Sequence, residues 1–270
     1  MTGNQATIDV SNRKFWDELC GTIAATRLGL RGHDSETLQK YDDWFFGFYH
    51  YLDRFIPFSE LAGKKVLEIG LGYGSVSQRL AASGTDYSGL DIASGPVHWV
   101  NHRLDIAHLP GRAIEGSALD IPFPDDTFDH VVTIGCLHHT GNLQRGINEV
   151  RRVLKPGGRA TIMVYDATNY IRWIKFPITT FRYALAGNAP LHLSRRGASE
   201  YDTNIAGQSA PETVMVSKAV LTKMLAEFSR CDIFRTNMGE HRYFDRIPRR
   251  LRVEMLGPWV GLDLYALVTK

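Results

Sequence analysis

The chain has little cysteine, no long apolar run and almost no net charge. Its three cysteines, Cys20, Cys136 and Cys231, are widely spaced and include no C-x-x-C pair. An odd, scattered set does not make a disulfide framework and fits a reducing compartment. It also excludes thiolate-cluster zinc ligation, and no metal site is expected. No stretch approaches the ~18 consecutive apolar residues of a membrane-crossing helix. Residues Met1 to Lys14 are polar and lack the apolar core of a signal peptide, so a cytoplasmic setting is expected. A net charge of +2 gives no general attraction to nucleic acid. There is no internal repeat and no low-complexity tract. With 44% hydrophobic and 22% charged residues over 270 positions, the chain can bury a large core without staples.

What is present is a β/α rhythm. Ser35 to Phe58 reads as an aromatic-rich helical element ended near Pro57, its aromatics packing on the next layer. Lys65 to Ile69 is a short apolar run ending in glycines, hence a buried strand. Val76 to Ala82 reads as helix and Tyr87 to Asp91 as the second strand. Pro96 suits a helix first turn, with Val97, Val100 and Leu104 following at helical spacing. Arg112 to Glu115 and Phe128 to Ile134 are the third and fourth strands. Leu143, Ile147, Val150 and Leu154 mark an amphipathic helix stopped by Pro156-Gly157-Gly158. Arg159 to Tyr165 is the fifth strand. Strands alternating with helices imply right-handed crossovers and a mostly parallel sheet covered on both faces.

After Tyr165 the rhythm breaks. Asp166 to Val216 shows no clear strand; Tyr170 to Leu185 suits a helix kinked or broken at Pro177. Ser217 caps a helix carrying Leu221, Leu225 and Phe228. Asp232 to Asn237 and Leu262 to Val268 close the sheet as a strand pair, with an Arg-rich stretch between them. The organisation expected is one domain over 1–270: a helical cap (1–62), a ligand-binding core (63–166), an insertion after strand five (167–216), and a closing helix and strands (217–270).

The segment Val66 to Ser75, VLEIGLGYGS, is strand, glycine turn and helix start. Glycines let the backbone turn tightly and approach a ligand that any Cβ would push away. In an open α/β sheet the ligand crevice lies at the carboxyl ends of the strands. The spacing is G-x-G-x-G followed by Ser75; a dinucleotide fingerprint wants glycine there, so a pyrophosphate has a poorer seat. Asp91 ends the next strand, where a carboxylate accepts hydrogen bonds from ribose hydroxyls. Gly116 to Phe123, GSALDIPF, follows strand three, where a nucleoside base would lie.

These motifs, with YSGLDIA, IPFPDDTFDHVV, LHH at Leu137 to His139 and EVRRVLKPGG at Glu149 to Gly158, resemble the class I S-adenosylmethionine (SAM)-dependent methyltransferases. The branch resembled includes the ubiquinone/menaquinone-type and natural-product small-molecule enzymes. The resemblance covers roughly Gly63 to Asp166 and implies a Rossmann-like seven-stranded sheet whose last strand is antiparallel. It implies S-adenosyl-L-methionine as cofactor and S-adenosyl-L-homocysteine as product. By it, Gly70, Gly72 and Gly74 pass under the methionine part, and Glu68 helps orient the amino group, through water. Asp91 holds the ribose, Ile92 packs on adenine, and Ser117 and Ala118 adjoin it, with Leu119 over the ring face. Ser117 departs from the family, which usually carries Asp there. Cys136 lines the cofactor site.

Methyl transfer to oxygen usually needs a base. His138 and His139 follow strand four, and an imidazole pKa near ~6.5 suits proton acceptance at neutral pH. Successive residues cannot aim the same way, so one should face the substrate and the other support the turn. His139 is favoured as base, with Asp166 near enough to tune it and Tyr165 as a hydrogen-bond donor. The insertion, with Tyr170, Trp173, Phe176, Phe181 and Tyr183, reads as a substrate lid; a covering layer or dimer contact is its plainer reading. Arg235, Arg242, Arg246, Arg249, Arg250 and Arg252 are either a solvated basic face or a seat for phosphate, carboxylate or an acidic carrier. The function expected is methylation of a small molecule at oxygen or nitrogen, an anionic acceptor included, without nucleic acid or a membrane span. The alternatives are a non-catalytic SAM-binding module and a nucleotide-dependent oxidoreductase, the latter disfavoured by Ser75 and the LHH segment.

Overall fold

Short apolar segments rich in Val, Ile and Leu pair into one central sheet in the computed structural model, which describes residues 5–19, 28–29, 34–204, 207–239, 244 and 246–270. Cys20 and Arg242 lie outside the described residues. The strands are β1 (Lys65–Ile69), β2 (Asp86–Asp91), β3 (Arg112–Glu115), β4 (Phe128–Ile134), β5 (Leu154–Tyr165), β6 (Leu191–His192), β7 (Val214–Met215), β8 (Arg230–Thr236) and β9 (Asp263–Thr269). Seven of them form the sheet, in the order β3-β2-β1-β4-β5-β9-β8. β1 pairs in parallel with both β2 and β4, and β9 runs antiparallel between β5 and β8. The last strand is therefore antiparallel, as expected. The chain winds one way from β1 to β3 and the other way from β4 onward. That reversal opens a crevice at the carboxyl ends of β1 and β4.

The helices are α1 (Gln5–Leu19), α2 (Ser35–Phe48), α3 (Ser75–Ala82), α4 (Ser94–Ile106), α5 (Leu143–Val153), α6 (Tyr170–Lys175), α7 (Pro177–Ala186), α8 (Arg195–Ala198), α9 (Lys218–Met224), α10 (Arg249–Met255) and α11 (Gly257–Val260). Side chains alternate across the sheet. Leu67, Val131, Ile162 and Val164 face α5 and α9 through Ile147, Val150, Val220 and Leu221. Val66, Val132 and Tyr265 face Tyr51, Leu52, Val76, Leu80 and Val100 on the other side.

Three local readings change. The helix expected over Ser35 to Phe58 ends at Phe48, where Tyr49 leaves helical geometry. Two 3-10 turns follow, because Tyr51, Leu52, Phe55 and Ile56 turn inward to pack under β9. Pro177 breaks the next helical segment outright and serves as the first residue of α7. The segment after β5 does hold a strand pair, β6 with β7, of only two residues each.

Candidate functional site

A cavity of about 230 Å³ opens at the crevice, lined by the ends of β1, β2 and β4, the turn after β3, and α1. Its floor is the glycine turn. Gly70 (φ +81°) leaves no room for a side chain, since a Cβ would sit 2.4 Å from that of Cys136. Gly72 (φ +53°) is different: a Cβ there would meet nothing within 4 Å, so its bare backbone faces open space. Gly74 lies under the loop against Arg103 and is not part of the wall.

Asp91 sits at the rim, its carboxylate accepting from Leu71 N (2.8 Å) and Ala93 N (2.9 Å). Each oxygen retains a lone pair for another donor. Burial raises the Asp91 pKa, against those backbone bonds. Ile92, Gly116, Ser117, Ala118 and Cys136 complete this end. Ser117 Oγ already accepts from Leu119 N at 3.1 Å, closing its own turn. Burial pushes the Cys136 thiol up, which keeps it protonated and poorly nucleophilic. Glu68 stands behind the loop, away from the wall. Its carboxylate takes hydroxyls from Ser77 (2.6 Å) and Tyr87 (2.7 Å), and burial raises its pKa to about 7.

The roof is α1, a segment that reads in the sequence only as a polar end. Gln5, Asp9, Asn12 and Trp16 fall three and four apart, on one helix face. Gln5 donates to Thr140 O (2.9 Å), Asn12 to His139 O (2.7 Å), and Arg13 to Ile92 O (3.1 Å). Asp9, Asn12 and Trp16 line the cavity, and the Asn12 Oδ1 is buried without a partner.

The two histidines take different places. His139 is on the cavity wall. Its Nδ1 is 2.7 Å from the carbonyl oxygen of Glu212. A carbonyl only accepts, so Nδ1 carries the proton and Nε2 the lone pair. Asp202 Oδ2 lies 3.5 Å from that Nε2, and the Trp16 ring is 4.8 Å from the imidazole. His138 is fully buried between the rings of His139 (4.1 Å) and Tyr165 (4.2 Å). Neither of its nitrogens has a hydrogen-bond partner, and burial drives its pKa well down, keeping it neutral. Tyr165 donates to Asp202 Oδ1 at 3.3 Å.

Asp166 does not serve His139. It is fully buried, and one oxygen accepts from Thr168 N (2.7 Å) and Thr168 Oγ1 (2.8 Å). The other is paired with Arg235. Tyr165 and Asp166 are successive residues at a strand end and point to opposite faces, so only the tyrosine reaches the histidines. The acid beside His139 is Asp202, from a stretch with no periodicity to announce it. The Arg-rich segment also divides. Arg246 and Arg250 are exposed, while Arg252 is buried and donates to Gly239 O (3.0 Å). Arg249 lies 3.6 Å over the Phe48 ring and donates to Asn237 Oδ1 (2.9 Å).

Residues 67–162 match the family described as "Methyltransferase domain". That stretch carries the end of β1, the whole glycine turn, β2 to β4 and most of β5. That stretch is therefore similar to methyltransferase domains, as the resemblance of its motifs implies. A demethylmenaquinone methyltransferase of Tropheryma whipplei is 33% identical over 144 residues, 53% of this chain and 58% of that protein. A fatty-acid O-methyltransferase of Mycolicibacterium smegmatis is 33% identical over 146 residues, 53% of this chain and 50% of that protein. The chain thus spans about half the length of these relatives. A SAM-dependent methyltransferase structure from Mesorhizobium loti superposes with a TM-score of 0.54 at 15% identity, over 82% of this chain and 97% of that one. That likeness concerns the fold. No helix among the described residues is long and apolar enough to cross a membrane.

Proposed function

We propose that this protein transfers a methyl group from SAM to a hydroxyl of a small molecule, with His139 as general base and Asp202 as its acid partner. The observation carrying this reading is the His139 imidazole itself: on the cavity wall, its proton fixed on Nδ1 by the Glu212 carbonyl, its Nε2 lone pair beside a buried carboxyl group.

The cavity's residues fit the cofactor. The open space over Gly72 admits a chain that a Cβ would exclude. Asp91 would hold the ribose hydroxyls, with Ile92 and Ala118 against the base and Cys136 and Gly70 under the methionine part. Glu68 and Gly74 would support the loop from behind. When bound, SAM supplies a methyl on a positively charged sulfur, which departs as the neutral thioether of S-adenosylhomocysteine. The protein's task is to orient an acceptor hydroxyl in line with that methyl and to remove its proton. His139 Nε2 takes the proton, and Asp202 stabilises the resulting imidazolium. Burial raises the Asp202 pKa, and the His139 imidazole and the Tyr165 hydroxyl beside it oppose that rise. His138 and Tyr165 hold this pair in place.

The insertion over 167–216 belongs to the acceptor side in this reading, since it supplies Asp202, Tyr201 and Glu212 around His139. The cap (1–62) roofs the cofactor through α1, with 63–166 as the core and 217–270 closing the sheet. The free thiols Cys136 and Cys231 suit a cytoplasmic setting. A non-catalytic SAM-binding role leaves the His139–Asp202 pair without a purpose.

The test is turnover and S-adenosylhomocysteine affinity on one purified His139→Ala protein, with the acceptor found by screening for isotope-labelled methyl transfer. General-base loss should lower turnover by ~10²–10⁴-fold with cofactor affinity near normal. Full turnover on a proven hydroxyl acceptor would exclude His139 as the base.

A further inference from the structure

The insertion leaves one apolar helix face uncovered. α7 exposes Ile178 (68%), Phe181 (55%) and Leu185 (72%). They stand three and four residues apart, so they form one stripe along this 10-residue helix. The opposite side is the one that packs. Thr180 is fully buried, its hydroxyl within hydrogen-bond reach of the Phe176 (2.7 Å) and Arg172 (3.1 Å) carbonyl oxygens, which ties α7 to α6. α6 is anchored in turn by the buried Tyr170 and Arg172, while its Trp173 is exposed. The stripe is thus held outward by a fixed inner side, and an exposed apolar face of this kind marks a surface that meets something.

The charge around it has one sign. Residues 167–199 hold Arg172, Lys175, Arg182, Arg195 and Arg196 and neither Asp nor Glu, in a chain whose net charge is only +2. The charged residue on α7 itself is Arg182, exposed and one position from Phe181, which puts it on the margin of the stripe. Lys175 is paired with Glu200, but no carboxylate among the described residues pairs with Arg182. A second exposed stripe, Leu251, Met255 and Trp259, lacks this bias, because Glu254 stands beside it and takes Arg250 (3.3 Å) and Arg54 (3.8 Å). The α6–α7 pair also joins the His139 side through contacts. Asn169, which caps α6, bonds the Tyr201 hydroxyl (3.2 Å), the Tyr201 ring lies 5.5 Å from that of Tyr165, and the Tyr165 hydroxyl donates to Asp202 beside His139.

We propose that the α7 face docks on an anionic lipid surface, with Ile178, Phe181 and Leu185 in the acyl boundary and Arg182 at the head-group phosphates. An apolar stripe edged by an unpaired cation, on a segment without acids, is the build of a helix that lies in a bilayer interface. Ten residues are about half of what a span needs, so the helix lies on the membrane and does not cross it. A second copy of this chain would match the apolar residues but bring like charges together across a two-fold contact. Docking here turns the insertion, and with it Asp202 and His139, toward the lipid. The inference concerns where the protein works and does not depend on which atom it methylates.

The test is co-sedimentation of the full chain with vesicles of phosphatidylglycerol and phosphatidylcholine in equal parts, and of phosphatidylcholine alone, at about 0.1 M and about 0.5 M salt. Affinity for the mixed vesicles should exceed that for the neutral ones by about tenfold or more and should fall at the higher salt. The triple variant Ile178→Ser, Phe181→Ser, Leu185→Ser should lose at least about tenfold on the mixed vesicles. Arg182→Glu should lose about threefold or more, and less so at the higher salt. These four positions are exposed, so both variants should keep the thermal midpoint of the unsubstituted protein. The matched variant Leu251→Ser, Met255→Ser, Trp259→Ser should bind as the unsubstituted protein does. No preference for the anionic vesicles would overturn the proposal, as would binding that survives the α7 substitutions or is lost only in the matched variant. So would a dimer, seen by light scattering, that the α7 substitutions split, since a second copy would then cover the face. None of these readouts uses the cofactor, so a failure of the methyl-transfer reading leaves them untouched.

Discussion

Two buried charged groups flank the cavity, and they are built differently. Under the glycine turn, Asp42 of α2 is held by Arg103 Nη1 (2.9 Å) and Nη2 (3.1 Å) and by Ser75 Oγ (2.5 Å). Arg103 also reaches Gln78 (3.0 Å). Beyond His139, Asp263 is fully buried and Asp202 and Arg249 are half-buried, and these three keep several unmet oxygens and N–H groups. In the first group both Asp42 oxygens are paired and only Arg103 Nε lacks a partner, and the cluster anchors α2 to α3 and α4 beneath the glycine turn. The second has spare hydrogen-bonding capacity, which in a low-dielectric interior calls for a partner from outside.

The largest effect expected follows from the closed side. Arg103→Ala leaves Asp42 as an uncompensated buried charge, and such losses cost about 3–5 kcal/mol. Urea unfolding of Arg103→Ala and Arg249→Ala should show a clear contrast. The first should lose most of its stability; the second, which removes a charge with no carboxylate partner, should lose far less or gain. Equal destabilisation would erase the difference between the two groups. Next in size is Asp91→Ala, which removes a charged hydrogen-bond acceptor from the rim of the cavity. A loss of about 1.5–3 kcal/mol is expected, roughly a ten- to hundredfold weaker S-adenosylhomocysteine complex by calorimetry. Unchanged affinity in the folded variant would remove Asp91 from the ribose site.

The same contrast governs what could be read from the sequence. The cofactor floor is local: strand, glycine turn and helix lie within one short segment, so backbone geometry and periodicity announce it together. Hence β1 to β4 were legible nearly to the residue, as was the fifth strand from Arg159 on. His139 was legible because it follows a strong strand by a short turn. Asp202 was not, because it reaches His139 across a stretch whose folding depends on contacts with β5 rather than on any repeating pattern. Asp166 is expected near His139 from its place at the end of strand five, and strand alternation sends it to Arg235 instead. The Gln5, Asp9, Asn12, Trp16 stripe was a usable signal that the polar character of the segment masked. The arginine cluster could not be sorted, since which guanidinium is buried is decided by tertiary packing alone.

A pH measurement sharpens the comparison from the acceptor side. Burial raises the folded-state pKa of Asp263 to about 8 from an ordinary 3.8. The folded protein then binds a proton that the unfolded chain has released. The stabilising contribution is fully present below about pH 4 and is lost as pH rises toward 8. The slope cannot exceed ~1.4 kcal/mol per pH unit for one proton. In Asp263→Asn that contribution should vanish, leaving a flatter stability curve between pH 5 and 8. Glu68 contributes with the same sign in both proteins up to its own value near 7, so the difference between the curves isolates Asp263. Identical curves would mean that Asp263 is ionised when folded.

The smallest effect tests the departure at Ser117. Its hydroxyl now closes a turn onto Leu119 N, and an Asp side chain can make the same bond while offering a second oxygen. If the adenine amino group lies beside this turn, Ser117→Asp should strengthen S-adenosylhomocysteine binding. The gain is limited to about 1 kcal/mol, because a new hydrogen bond replaces one to water and the added carboxylate must be partly desolvated. Inosyl and adenosyl forms of the ligand separate the causes. A carboxylate that accepts from the amino group should favour the adenosyl form and not the inosyl form, which has no amino hydrogens to offer. A gain shared by both forms would be a general effect of the added charge on the cavity. A loss for both would place the base elsewhere, with the Asp9 carboxylate and the unpartnered Asn12 Oδ1 on α1 the next polar groups along the wall.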